Sequence, residues 1–128
     1  MLNANCVLAR LRDAYEPGFD GPCMHECVFT ALAQAEHGVK ALDVAKALLG
    51  YGFHAPTVHF PLCVKEGLMI EPTESESKET LDAFCDAMLA IAKTAMEDPD
   101  SLYSAPRSTL VGRLDEVRAA HTLDCACL

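Results

Sequence analysis

Tryptophan is absent from this chain, and aromatic residues make up only 6% of it. A core without large rings has to rest on Leu, Val, Ile, Ala, Met and a few Phe. Basic residues are scarce: 10 Lys and Arg stand against 19 Asp and Glu, a net charge of −9. Nucleic acids and anionic membranes are bound through clustered Lys and Arg, so neither is the expected partner. Long apolar runs are missing too. The most apolar stretch, AMLAIA at 87–92, is closed off by Asp86 and Lys93, far short of the about 20 residues that span a bilayer. The opening MLNANCVLARLRDAY lacks the apolar centre of a secretion signal, and a soluble, cytoplasmic protein is expected. A G-x-G-x-x-G turn, a phosphate-binding loop and a nucleophile elbow are likewise lacking.

What is present suits one ordinary domain. The chain has 128 residues and is 51% hydrophobic, enough to bury a real core. Without a secretion signal, its seven cysteines (Cys6, Cys23, Cys27, Cys63, Cys85, Cys125 and Cys127) read as reduced thiols.

Periodicity gives an order of elements. Ala4, Val7, Leu8, Leu11 and Ala14 form a helical stripe over 3–15, with Asn3 or Asn5 as cap and Glu16-Pro17-Gly18 as stop. Residues 23–33 alternate as a strand, with Cys23, His25, Cys27 and Phe29 on one face. AEHG is a turn. ALDVAKALLGYG is a helix with Gly50 or Gly52 at its end. TVHF-P reads as a strand broken by Pro61, so at an edge, joined to GLMIEP by a hairpin at Lys65-Glu66-Gly67. The clearest helix follows, buried through Leu81, Phe84, Met88, Ile91 and Ala95, with Thr73 and Glu76, or Ser75, as its capping signature. EDPDSLYSAP is a loop, TLVGRLDEVRAA adds a short helix, and the rest is tail. The expectation is one α+β domain over 1–120 with a small, mostly antiparallel sheet, and a tail at 121–128.

Three constellations bear on chemistry. Cys23, His25 and Cys27 on one strand face offer metal donors. Neighbours on a strand close a tetrahedron poorly, no second C-x-x-C pair exists, and cysteine is a common core residue, so no metal site is expected there. Cys125 and Cys127 read as incidental thiols of a tail. Glu71, Glu74 and Glu76 can hold a cation, but acids beside a helix start are explained by its dipole. In GYGFHAPTVHFPLC, His54 and Thr57 stand where a helix hands over to a strand, a common place for function on a rigid scaffold. Local hydrogen bonding by His54, with Pro56 fixing the backbone, explains the same residues.

LLGYGFHAPTVHFP, LMIEPTESESKETLDAFCDAM, LNANCVLARL and MHECVF together resemble the C-terminal region of the glycine cleavage system P-protein. RLDEVRAA resembles the second subunit of its two-subunit bacterial form, and the likeness runs from about Leu2 to about Ala120. That family is glycine dehydrogenase (decarboxylating), an enzyme dependent on pyridoxal phosphate. The resemblance implies the small C-terminal α+β domain of an aspartate-aminotransferase-like fold. A helix beginning at the first residue would then be the end of one joining it to a large cofactor domain. It implies that glycine loses its carboxylate as CO₂, the cofactor serving as electron sink, and that the aminomethyl group passes to the lipoyl arm of the H-protein. The partners implied are the large domain, the first P-protein subunit and the lipoylated H-protein.

The family's cofactor lysine follows a histidine and precedes a glycine-rich run. None of Lys40, Lys46, Lys65, Lys78 and Lys93 does so, so the chain alone is expected to be inert. The resemblance places His54 and Thr57, and less directly Thr73 and Glu74, near the substrate mouth or the seam between domains. The alternative is a stand-alone α+β module that binds a small acid or a partner protein without chemistry. A third reading is a thiol or zinc module on Cys23, His25 and Cys27; metal content near zero after chelator-free purification removes it. A domain lacking its neighbour exposes apolar surface, so light scattering at high concentration should show dimers or larger species. A clean monomer without an apolar patch counts against the missing neighbour.

Overall fold

The computed structural model describes residues 1–121. Its elements are α1 (Leu2–Leu11), β1 (Glu16–Pro17), β2 (Cys27–Thr30), α2 (Leu32–Ala35), α3 (Ala41–Gly50), β3 (Thr57–Val58), β4 (Gly67–Ile70), α4 (Lys78–Glu97), α5 (Asp100–Tyr103) and α6 (Glu116–His121). The strands form one wholly antiparallel sheet in the order β1-β2-β4-β3. This is the expected α+β architecture.

Register explains the core. Cys27 pairs with Ile70 and Phe29 with Leu68, so these four side chains share one face. All are buried, and they join Val7 and Leu11 of α1, Val44 and Leu48 of α3, and Leu81, Met88 and Ile91 of α4 in one cluster. Val28, Met69 and Thr57 line the other face. Two anchors fix α4 against the rest. Tyr15 packs edge-on to Phe29 at 6.4 Å and donates its hydroxyl to the Met88 carbonyl at 3.0 Å. Arg10 reaches across from α1 to Asp82 at 2.7 Å and Asp86 at 2.6 Å, carboxylates one turn apart on α4.

Several local expectations change. Only Cys27–Thr30 of the expected strand over 23–33 is paired; all four residues are buried, and Cys23 and His25 lie outside the ladder. The face shared by Cys23, His25 and Cys27 therefore does not exist. Alternation in the sequence could not show where β1 and β4 stop pairing. Asn3 and Asn5 do not cap α1, which has no side-chain cap. Asn3 donates to the Thr73 carbonyl at 2.6 Å, while Asn5 clasps the backbone of Cys23 at 2.8 and 2.9 Å. The cap of α4 is Ser77, whose Oγ accepts from the Thr80 amide at 3.1 Å, not Thr73 or Ser75. Glu71, Glu74 and Glu76 thus precede the helix, and only Glu79 is an acid of its first turn. The short elements β1, α2 and α5 went unread, and α1 ends at Leu11, before residue 15.

The hairpin between β3 and β4 is longer than the expected turn at Lys65-Glu66-Gly67. The connection covers 59–66, with His59 and Glu66 at positive φ. It packs back on the domain: Thr30 donates to the Lys65 carbonyl at 2.7 Å, and Glu66 Oε2 accepts from the Ala41 amide at 2.7 Å. Together with Asp43, which accepts from the Lys40 amide, Glu66 satisfies amides that the start of α3 leaves open. Gly67 permits the close return, because a Cβ there would lie 2.9 Å from the Phe60 carbonyl and 3.1 Å from that of Val64. Gly67→Ala should lower unfolding stability by about 1–3 kcal/mol, the usual cost of overpacking; an unchanged denaturant midpoint would show that the loop yields freely.

Candidate functional site

The end of α3 aims the histidine loop. Tyr51 is the C-cap, Gly52 has φ +84°, its amide donates to Leu49 at 3.1 Å, and that of Phe53 donates to Leu48 at 3.2 Å. This is a Schellman closure, which needs a left-handed residue where Gly52 stands. It turns Phe53 inward, where the ring meets Phe84 of α4 edge-on at 5.4 Å and 86°. His54 to Thr57 then run outward to β3.

A cleft of about 320 Å³ opens beside that aromatic pair. Phe53, Phe84, Leu81, Met69 and Ile70 give it an apolar floor. His54, Thr57, Glu71, Glu76 and Thr80 add polar groups at its wall. His54 and Thr57 are exposed. His54 Nδ1 lies 2.8 Å from the Ala55 carbonyl, the local contact expected of a connector. That contact leaves Nε2 as the nitrogen available toward a ligand. Thr73 and Glu74 are exposed and do not line the cleft. Thr73 instead accepts from Asn3 through its carbonyl and shares a hydroxyl hydrogen bond with Ser75 at 2.8 Å. Glu71 and Glu76 are the carboxylates that reach the cleft. The sequence offers them, with Glu74, as an acidic run, but a helix dipole explains the same run. Phe53 and Phe84 were hidden because only folding brings them together.

His54 and Phe53 also border a second hollow, of about 500 Å³, on the other side of the loop. Its far wall is Pro106, Thr109 and 111–114, and Lys46 of α3 stands at its edge. None of the lysines lines the first cleft, and Lys46 is engaged by Glu116 at 2.9 Å.

The thiols divide by burial. Cys27 and Cys85 are fully buried in the core, Cys6 and Cys23 are half-buried, and Cys63 is exposed. Burial pushes the Cys27 thiol up to about 12 and the Cys85 thiol up to about 11. Beside the cleft, which Glu71 also lines, His25, Glu26 and Glu71 have donor atoms within 4.8 Å of one another. Glu26 and Glu71 meet because each flanks the Cys27–Ile70 pair. Cys125 and Cys127 lie outside the described residues. Among those residues no helix is long and apolar enough to cross a membrane.

The raised thiols carry a pH dependence. The folded state holds Cys27 and Cys85 protonated, so their contribution is intact below the ordinary value of 9.0 and is lost as pH rises toward 11–12. Denaturant midpoints should fall steadily above about pH 9, with Cys27→Ala and Cys85→Ala flattening the fall. At neutral pH a thiol reagent should modify Cys63 at once and Cys27 and Cys85 only on unfolding. Fast labelling of Cys27 in the folded protein would contradict the burial described.

Comparison with known proteins places this geometry. Residues 1–111 match a family described as glycine dehydrogenase, C-terminal domain. The chain is 56% identical over 120 residues to a protein of Staphylococcus saprophyticus named probable glycine dehydrogenase (decarboxylating) subunit 2, covering 94% of this chain and 24% of that protein. It is 54% identical over 129 residues to a protein of the same name from Chlorobium chlorochromatii, covering 100% of this chain and 27% of that protein. A protein of that name from Listeria innocua is 56% identical over 120 residues, covering 94% and 25%. The chain thus spans about a quarter of the length of the curated relatives it matches. On a match over residues 1–111 and on these identities, the chain belongs to the glycine dehydrogenase C-terminal domain family.

Proposed function

We propose that this chain is the C-terminal domain of a glycine decarboxylase dependent on pyridoxal phosphate, and that its His54 cleft faces the substrate side of that enzyme. The observation that carries the reading is the identity of over half the residues with proteins named glycine dehydrogenase (decarboxylating) subunit 2. The cleft supports it. Phe53 and Phe84 form a rigid apolar floor, and His54, Thr57 and Glu76 give a polar edge suited to a small charged amino acid.

The residues described here do not fit the cofactor itself. No lysine lines the cleft, and Lys46, at the second hollow, is held by Glu116. The group would be held by the part of the relatives that this chain does not span. This domain's contribution is to close over the bound amino acid, exclude water and hold a proton at His54 Nε2. Thr73 and Glu74, on the chain just before α4, belong to the seam between domains in this reading rather than to the cleft. The partners are that larger part, the first subunit of the enzyme and a lipoylated carrier protein that accepts the aminomethyl group. The site of action is the cytoplasm. A net charge of −9 supports a protein that meets neither nucleic acid nor an anionic membrane.

In the full subunit with its partner, His54→Ala should lower the exchange of labelled bicarbonate into the glycine carboxyl by roughly a hundred- to ten-thousandfold, the range for losing a positioned acid–base group. Unfolding temperature should stay within about a degree, because His54 is exposed and bonded only locally. Exchange equal to the unsubstituted enzyme would remove His54 from the site. Tight binding of a small acid by the 128-residue chain alone would favour the stand-alone module instead.

A further inference from the structure

With the expected strand over 23–33 cut back to Cys27–Thr30, His25 no longer shares a face with cysteines. The fold gives it other neighbours. Its ring, the Glu26 carboxylate and the Glu71 carboxylate bring donor atoms within 4.8 Å of one another. Register produces this meeting. Cys27 pairs with Ile70, so the next position outward sets Glu26 opposite Glu71. Like charges directly opposite on neighbouring strands are destabilising. Among the described residues neither carboxylate pairs with a lysine or arginine; Glu26 has His25 beside it, Nε2 to Oε2 at 3.7 Å. The backbone under all three groups is held. Asn5 clasps the Cys23 carbonyl and amide at 2.8 and 2.9 Å, and the β2–β4 ladder takes over at Cys27. His25 and Glu26 are strung between these two fixed points. Glu71 leaves the ladder directly after Ile70 and is followed by the stiff Pro72.

We propose that His25, Glu26 and Glu71 bind a divalent transition-metal ion of the Zn²⁺ or Co²⁺ kind. The donor set decides the class. One imidazole with two carboxylates suits such ions, whereas Mg²⁺ and Ca²⁺ take oxygen donors. Donors about 2.1 Å from an ion lie roughly 3–4 Å from one another, so groups already within 4.8 Å close on it by small side-chain rotations. The side chains have room for that: His25 is 75% exposed and Glu26 36%. Three protein donors leave further positions to water or to another ligand. No thiol belongs to the set, so this is a different site from the one that Cys23 and Cys27 suggested. An ion here offsets the repulsion between Glu26 and Glu71. Because Glu71 also lines the His54 cleft, occupancy takes one negative charge from the wall of that cleft. The inference stands on this geometry and does not depend on the decarboxylase reading.

The test dialyses the full-length protein, its cysteines kept reduced, against Co²⁺ and Zn²⁺ and measures the ion retained. His25→Ala and Glu71→Gln should each weaken binding of one ion by at least about tenfold, because losing a group that only supports a ligand already costs ten- to a hundredfold. Both side chains are exposed, so neither change disturbs the core. The absorption spectrum of the bound Co²⁺ should lack the intense thiolate band. Thermal unfolding gives a second readout. Without metal, Glu71→Gln should melt no lower than the unsubstituted protein, since it removes a like-charge contact. With Zn²⁺ in excess the unsubstituted protein should gain in melting temperature and Glu71→Gln should not. No binding by the unsubstituted protein, or binding unchanged in both variants, overturns the proposal. So does a thiolate band that vanishes in Cys23→Ser, which would give the ion to the cysteines. A lower metal-free melting temperature of Glu71→Gln overturns it as well, because that carboxylate would then serve the fold.

Discussion

The pairing of β2 with β4 is the constraint on which the rest of the structure depends. Four residue pairs set one face of the sheet against α1, α3 and α4. A slip of one residue would turn Phe29 and Leu68 outward and bring Val28 and Met69 in. Everything near the cleft hangs from this register. It fixes where β4 releases the chain at Glu71, where β3 can pair at Thr57, and where the 59–66 connection must return so that Glu66 reaches the start of α3. The helix so capped is the one whose far end aims Phe53 and His54.

The cleft is a product of two rigid ends, and this suits a domain that closes on something. Its floor is locked by the Phe53–Phe84 contact and by the Schellman closure at Gly52. Its polar groups sit on the loop from α3 into β3, on the segment between β4 and α4, and on the first turn of α4. The long helix α4 joins floor to core, and Arg10 and Tyr15 tie it to α1 and to β2, so a push at the cleft is resisted by the whole layer of helices.

Much of this was legible in the sequence where the pattern is long. α3 and α4 carry apolar residues at helical spacing over several turns, and both were placed. The edge strand at Thr57–Val58 followed from Pro61. Elements of two to four residues, β1, α2 and α5, carry no period and went unread. The strand expected over 23–33 shrank to Cys27–Thr30 because alternation does not show where partners end, and the supposed donor face of Cys23, His25 and Cys27 went with it. His54 and Thr57 were found from the loop between helix and strand. Glu71 and Glu76 were seen and set aside as helix-start acids, a reading undone by the cap at Ser77. Thr73 and Glu74 entered with the P-protein resemblance, and the structure keeps them off the cleft. Phe84 was assigned to the buried face of α4, but its partner Phe53 belongs to a distant segment that only the fold brings near.

The central claim is that the His54 side of this domain faces bound amino acid in a larger enzyme. Amide hydrogen exchange of the full two-subunit enzyme, with and without glycine, tests it most directly. The account predicts slower exchange at residues 53–57 and 71–76 when glycine is bound, with the β2 and β4 amides unchanged. Identical exchange at 53–57 in the two states, with slowing confined to the part of the enzyme outside this chain, would contradict it.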